Sequence, residues 1–333
     1  MTGVQRSGRR SDRQRADQRA GHQPADEPAD GRRSDRQRAG RRRAGRERSD
    51  RQRAGGEWAG RRWPGPVVPG RLPRVLRAEW TKLRTVPANG WAVLAIVVLT
   101  WAVSVWTVGG MDPASCPAGR RCDLDTTLTA LSGVYLGQVA VVLLSVLVVT
   151  AEYDTMMIRA TLAATPNRAA VLAAKLAVVT AAVLPAAALS VLGPLLVGRL
   201  WLPGRGFTPA AGYPPMSLAQ WPTGRAFLGS VLYLGLLALF SVGVAVTVRR
   251  SAAAISTMLG LLLVPAIIAG LMSDEHWRDR LQELAPMTAG LSIQATKHLD
   301  TLPIGPWAGL GVLAGYAAGA IVLGTVLFLR RDA

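Results

Sequence analysis

The sequence predicts an all-α, polytopic membrane protein with six transmembrane helices, preceded by an amphipathic interfacial helix and a disordered Arg-rich N-terminal tail. Three observations carry the prediction. Six long apolar runs occupy Trp91–Val108, Leu128–Ala151, Val171–Leu196, Ala226–Val248, Ala252–Met272 and Ile304–Leu329, and none has a charge near its middle. Each meets or nearly meets the roughly 20 residues that cross about 30 Å of hydrocarbon at 1.5 Å per residue. Backbone groups in lipid must satisfy one another, so runs of this length are helices.

The chain divides at about residue 70 into a tail and a six-span domain, residues 71–333. Half the residues are hydrophobic, yet the formal net charge is +18. Residues 1–70 hold 19 Arg against 9 acidic residues, which places more than half of that charge in the tail. The hexapeptide Ser-Asp-Arg-Gln-Arg-Ala recurs there at Ser11–Ala16, Ser34–Ala39 and Ser49–Ala54. No apolar periodicity accompanies it, so no core forms and disorder is expected. The tail reads as an electrostatic arm for anionic lipid, as a solvated spacer, or as a segment preceding a start nearer Val67. It lacks aromatic interleaving and any base-reading module, so no nucleic-acid partner is expected. The first apolar run begins too far in for a cleaved signal peptide.

Before the first span, residues 71–86 form the amphipathic helix. Leu72, Val75, Leu76, Leu83 and Val86 share one face with Trp80 at its edge, and Arg74, Arg77, Thr81 and Arg84 share the other. This is the pattern of a helix lying in the membrane interface. Glu79 falls on the apolar face, where it either pairs with a base, Lys82 or an arginine from a neighbouring turn, or reaches to water.

Six spans put both termini on one side. Arg71, Arg74, Arg77, Lys82 and Arg84 precede the first span, so the positive-inside rule makes both termini cytoplasmic; the expected location is the plasma membrane. Residues 109–127, 199–225 and 273–303 are then extracellular loops, although Arg120, Arg121, Arg278 and Arg280 lie in them. Cys116 and Cys122, in the first of these loops, are a candidate disulfide in an oxidising compartment. In the last, Trp277, Leu281 and Leu284 recur at helical spacing, with Pro286 ending that helix.

The loop 152–168 carries the most specific pattern. Tyr153, Met156, Met157 and Ala160 form one apolar face of a helix of about three turns, turned toward the chain's own bundle. Ile158 and Leu162 lie opposite with Arg159, turned toward a soluble partner or toward lipid. Thr165 and Pro166 read as N-cap and first residue of the third span.

Several chemistries have no residues to carry them. No Gly-x-x-x-x-Gly-Lys-Ser/Thr occurs, so the chain has no P-loop for ATP. No His-Glu-x-x-His or Gly-x-Ser-x-Gly occurs, and His22, His276 and His298 are scattered, so no catalytic, metal or cofactor residues are assigned. The apolar runs contain no Asp or Glu, and Lys175 is expected to snorkel to the interface. Ion-coupled carriers place ionisable groups at the midplane, so the driving force must come from elsewhere. Pro185, Pro194 and Pro265 fall inside spans, as hinges or as static kinks.

The segments Arg-Ala-Glu-Trp-Thr-Lys-Leu-Arg (77–84), Glu-Tyr (152–153), Met-Ile-Arg-Ala-Thr-Leu-Ala-Ala-Thr-Pro-Asn-Arg (157–168), Ala-Ala-Lys (173–175), Pro-Trp-Ala-Gly-Leu (306–310) and Arg-Arg-Asp-Ala (330–333) resemble permease subunits of actinobacterial type-2 ATP-binding-cassette (ABC) exporters. The resemblance covers Arg71–Ala333. It implies a permease that pairs with a second permease subunit and with a separate ATPase subunit, in contact with membrane lipid. It also implies that the loop 152–168 docks on the ATPase as a coupling helix, through Glu152, Tyr153, Ile158, Arg159, Leu162 and Arg168. Met156 departs from the family pattern, where Gly is common. The rival reading is a membrane scaffold or sensor with a basic lipid- or nucleic-acid-binding tail, and a second is a membrane-embedded enzyme.

Overall fold

In the computed structural model the described residues are 72–111, 124–164, 167–211, 213 and 215–330. Eleven α-helices and no strand occur among them. They are α1 (Leu72–Thr85), α2 (Pro87–Gly109), α3 (Thr126–Ala130), α4 (Val134–Asp154), α5 (Met157–Ala164), α6 (Arg168–Trp201), α7 (Trp221–Val248), α8 (Ser251–Leu271), α9 (Glu275–Leu284), α10 (Pro286–Leu291) and α11 (Pro306–Arg330). Helices α2, α4, α6, α7, α8 and α11 are long and apolar enough to cross a bilayer, which makes this a multi-pass membrane protein. The tail, residues 1–70, and the Cys116–Cys122 pair lie outside the described residues, as does most of the loop 109–127.

The outer surface fits that solvent. Val98, Leu189, Leu228, Val264, Ile267 and Val322 are exposed along the spans, where lipid tails replace water. Exposed tryptophans mark the helix ends: Trp91 lies near the start of α2, whereas Trp106, Trp201, Trp221 and Trp307 stand at the opposite end of the bundle. Amphipathic rings at both ends are the pattern of an interfacial aromatic belt. The end at which α1 joins the bundle is called proximal below, the other distal.

Helix α7 is the central post, packing along α11, α6 and α4. Its approach to α11 depends on two glycines. A Cβ on Gly243 would stand 2.7 Å from the Ala320 carbonyl carbon, and one on Gly324 would stand 2.9 Å from the Gly243 oxygen. Small residues let membrane helices approach until backbones touch, where dispersion and not hydrophobicity holds them.

Span boundaries differ from the hydropathy reading at the ends. The second run was expected from Leu128, but α3 and a turn precede Val134 because Asp125 caps α3 through the Leu128 amide. The third span extends over 34 residues, Arg168–Trp201, and continues through Pro185 and Pro194. Its N-cap is Asn167, which accepts from the Ala170 amide, in place of the expected Thr165. Pro286 both follows α9 and opens α10, since a residue without an N–H suits a helix start as well as a stop.

At the distal end, residues 285–297 fold back into the bundle, with Met287, Leu291, Ile293 and Gln294 buried. Irregular backbone at such a position requires protein partners, and it has them. Arg225 donates to the Ala295 carbonyl, and Asp125 accepts from the Thr296 and Lys297 amides. Gln294 donates to Ser230, and the Gln138 amide donates to the Met287 sulfur.

Candidate functional site

The polar side chains converge at the proximal end. Helix α1 turns Val75, Glu79 and Leu83 inward against the start of α6, and leaves Arg74, Arg77, Arg84 and half of Trp80 exposed. Among the described side chains that is the expected division of faces except at Val86, which is exposed because the helix stops at Thr85. Lys82 lies one turn from Glu79 and points the same way.

Glu79 is the residue that made the apolar face of α1 anomalous, and the structure accounts for it. Its Oε1 accepts from Lys82 Nζ at 2.7 Å and its Oε2 from Lys175 Nζ at 2.7 Å. Glu152 Oε1 accepts from the same two ammonium groups, at 2.8 Å from Lys82 and 2.9 Å from Lys175. The four charges form a closed, alternating, electrically neutral ring. It joins α1, the last turn of α4 and the second turn of α6. Glu79 and Lys175 are each only 4% exposed. Glu152 Oε2 is buried with no partner, so Glu152 uses one oxygen for both lysines.

The electrostatics follow from this geometry. Burial pushes the Glu79 carboxyl up, but Lys175 and Lys82 outweigh it and hold the group below its ordinary value of 4.5. Burial likewise depresses the Lys82 ammonium, and the hydrogen bonds and charges of Glu152 and Glu79 reverse that, leaving it above 10.5. Attraction wins over desolvation because each charge has two opposite neighbours at hydrogen-bond distance.

Two expectations are corrected here. Lys175 does not snorkel to the interface; it turns inward, because two carboxylates offer it a better site than headgroups. Glu152 is not a surface group either: it is buried inside the ring.

The loop 152–168 is also rearranged. Residues 152–154 complete α4, and the helix breaks at Met156, whose φ of 58° is left-handed. Helix α5 then starts anew at Met157. The break shifts the helical phase, so the two faces exchange roles. Ile158 is 4% exposed in the main apolar core. Leu162 packs on that core and on a small cluster of Val75, Val171 and Ala174. Neither faces outward. Met156, Met157, Arg159, Ala160 and Ala163 are exposed on and just before α5, as are Asp154, Thr155 and Asn167 at its two ends. Tyr153 is half-buried beneath the guanidinium of Arg249, 5.5 Å from its ring centre. Arg168 donates to the Phe328 carbonyl at 3.1 Å, which ties α6 to the end of α11. Ser251 donates to Asp154, which joins α8 to α4.

Of the residues expected to form one docking surface, only Arg159 remains exposed. Tyr153, Ile158, Leu162 and Arg168 hold the loop onto the bundle. Sequence reasoning missed the roles of Lys175 and Arg249. A signal existed for the first: the chain has only three lysines among 39 basic residues, at 82, 175 and 297. Two of the three are in the ring, where each compact ammonium contacts both carboxylates.

No group of three or more His, Cys, Asp or Glu is arranged to hold a metal ion among the described residues. No known family and no curated protein matches the chain.

Proposed function

We propose that this chain is the membrane-spanning permease subunit of an ABC-type exporter. Two permease subunits enclose the path, and a separate ATPase subunit drives it from the proximal side. The proximal end is then cytoplasmic and the location the plasma membrane. The observation that carries the reading is the mounting of α5. A short helix stands at the end of a six-span bundle, its inner face fixed by Ile158 and Leu162 and its outer face bare. Such an element can transmit a push without deforming. The residue pattern shared with type-2 ABC permeases adds to this, and the chain has no P-loop of its own.

On this reading Met156, Met157, Arg159, Ala160 and Ala163 meet the ATPase, and the three exposed arginines of α1 lie beside the inner leaflet. A cationic helix next to anionic headgroups gains about 1 kcal/mol per basic residue near the surface. The uncharged middles of the spans suit an apolar or lipid-like cargo.

The test is purification of the full chain from its native host, with nucleotide hydrolysis measured for the chain alone and for the co-purified assembly. Hydrolysis confined to a co-purifying P-loop ATPase supports the reading. Robust hydrolysis by the isolated chain contradicts it, and a chain that brings down no ATPase favours the scaffold.

A further inference from the structure

We propose that α1, the last turn of α4 and the first two turns of α6 move as one rigid block, fastened by the ring of Glu79, Lys82, Glu152 and Lys175. The block carries α5 on one side and the foot of α2 on the other. A displacement of the loop is thereby passed to the first span. The proposal concerns the block itself and holds whatever docks on the loop.

The four charges are fully cross-connected. Each carboxylate is held by both lysines and each lysine by both carboxylates, at 2.7–2.9 Å. Moving any one of the three helices away breaks at least two of these contacts together. The closed ring is neutral, whereas an opened one leaves buried charges without partners. Breaking a buried pair in this way is strongly unfavourable, because the desolvation has no compensating attraction. The ring therefore has a closed state and no gradual series of loosened ones.

Lys82 Nζ lies 3.5 Å from Thr161 Oγ1, so the ring reaches α5 directly. Leu162 packs beside Val75 of α1 and Val171 and Ala174 of α6. On the other side, Val86 is the only residue between α1 and α2. That joint is stiffened: the Val86 amide donates to the Lys82 carbonyl, and the Asn89 side-chain amide donates to the Leu83 carbonyl at 3.2 Å. A helix joined to a span by one braced residue transmits rotation as well as translation.

The test uses the full chain in lipid nanodiscs. Native-state hydrogen exchange on the unmodified protein reports amides 76–85, 150–154 and 171–176. The block requires these three stretches to share one opening rate, within about threefold. Spin labels at Thr81→Cys and Ala160→Cys, with Cys116 and Cys122 replaced by Ser, then give the distance between α1 and α5. One narrow distance is expected, broadening in Lys175→Met. It narrows again in Glu79→Gln/Lys175→Met, which leaves a neutral Lys82–Glu152 pair. Opening rates that differ by more than about tenfold between the stretches overturn the proposal even if no variant folds. So does an unchanged distance in a folded Lys175→Met protein. A residue that merely adds local stability would raise exchange around position 175 and leave the distance unaltered.

Discussion

Lys175 Nζ stands 2.7 Å from Glu79 Oε2 across 96 residues of sequence, and both side chains are almost wholly buried. The pair closes the ring that seats the interfacial helix on the bundle, and the first prediction follows from its burial. Lys175→Met leaves two carboxylates facing one remaining ammonium. It should lower stability by about 3–5 kcal/mol, the usual effect of removing one partner of a buried pair. Glu79→Gln combined with Lys175→Met should be less destabilising than the sum of the single changes. Thermal unfolding in nanodiscs, run as a double-mutant cycle, measures the coupling.

The same ring sets a pH window. Glu79 has a lowered value in the folded protein, so its contribution is present above 4.5 and is lost as pH falls through the lower folded value. Lys82 has a raised value, so its contribution is present below 10.5 and is lost as pH rises through the higher one. Unfolding temperature should therefore hold a plateau between these limits and fall outside them. Glu79→Gln should flatten the acid limb.

Met156 occupies a left-handed conformation that a side chain disfavours by roughly 1–2 kcal/mol. Glycine removes that strain at an entropic cost of about 0.5–1 kcal/mol. Met156→Gly should therefore be stabilising by about 0.5–1 kcal/mol, and Met156→Val should be destabilising. Hydrogen-exchange protection of α5 reports the change without requiring a functional assay.

Glycines that look alike in the sequence should behave differently. Gly243→Val forces a side chain into the Ala320 backbone and should abolish the folded bundle. A Cβ on Gly315, on the partner helix α11, would meet no atom within 4 Å, and Gly315→Val should leave the bundle intact. Expression and size-exclusion profiles in mild detergent separate the two outcomes.

The spans were legible because apolar length is a local property of the chain, and so was the two-faced character of α1. Glu79 was legible as an anomaly, a carboxylate on an apolar face, and Lys82 one turn away was legible as a partner. The other half of the ring was not. Lys82 and Glu152 are 70 residues apart, and no periodicity within one helix records a contact between helices. The faces of α5 were misassigned for a different reason. A single helix was read through from Glu152, and one left-handed residue at Met156 reset its phase. The clue was present in Met156 itself, where the loop departs from the permease pattern it resembles. The buried distal segment 285–297 was read only as part of the loop 273–303, because its partners Asp125, Gln138, Arg225 and Ser230 come from distant parts of the chain.

The central claim is that a separate ATPase docks on the outer face of α5. Its most direct measurement is the affinity of the co-purifying P-loop ATPase for the unmodified chain and for Met157→Asp/Ala160→Asp. Losing a buried methionine contact is worth roughly 1.5–3 kcal/mol, and placing carboxylates in the interface adds a desolvation cost. The account predicts at least about tenfold weaker binding at 1.4 kcal/mol per decade, with the bundle still folded. Unchanged affinity in the folded double variant would contradict it.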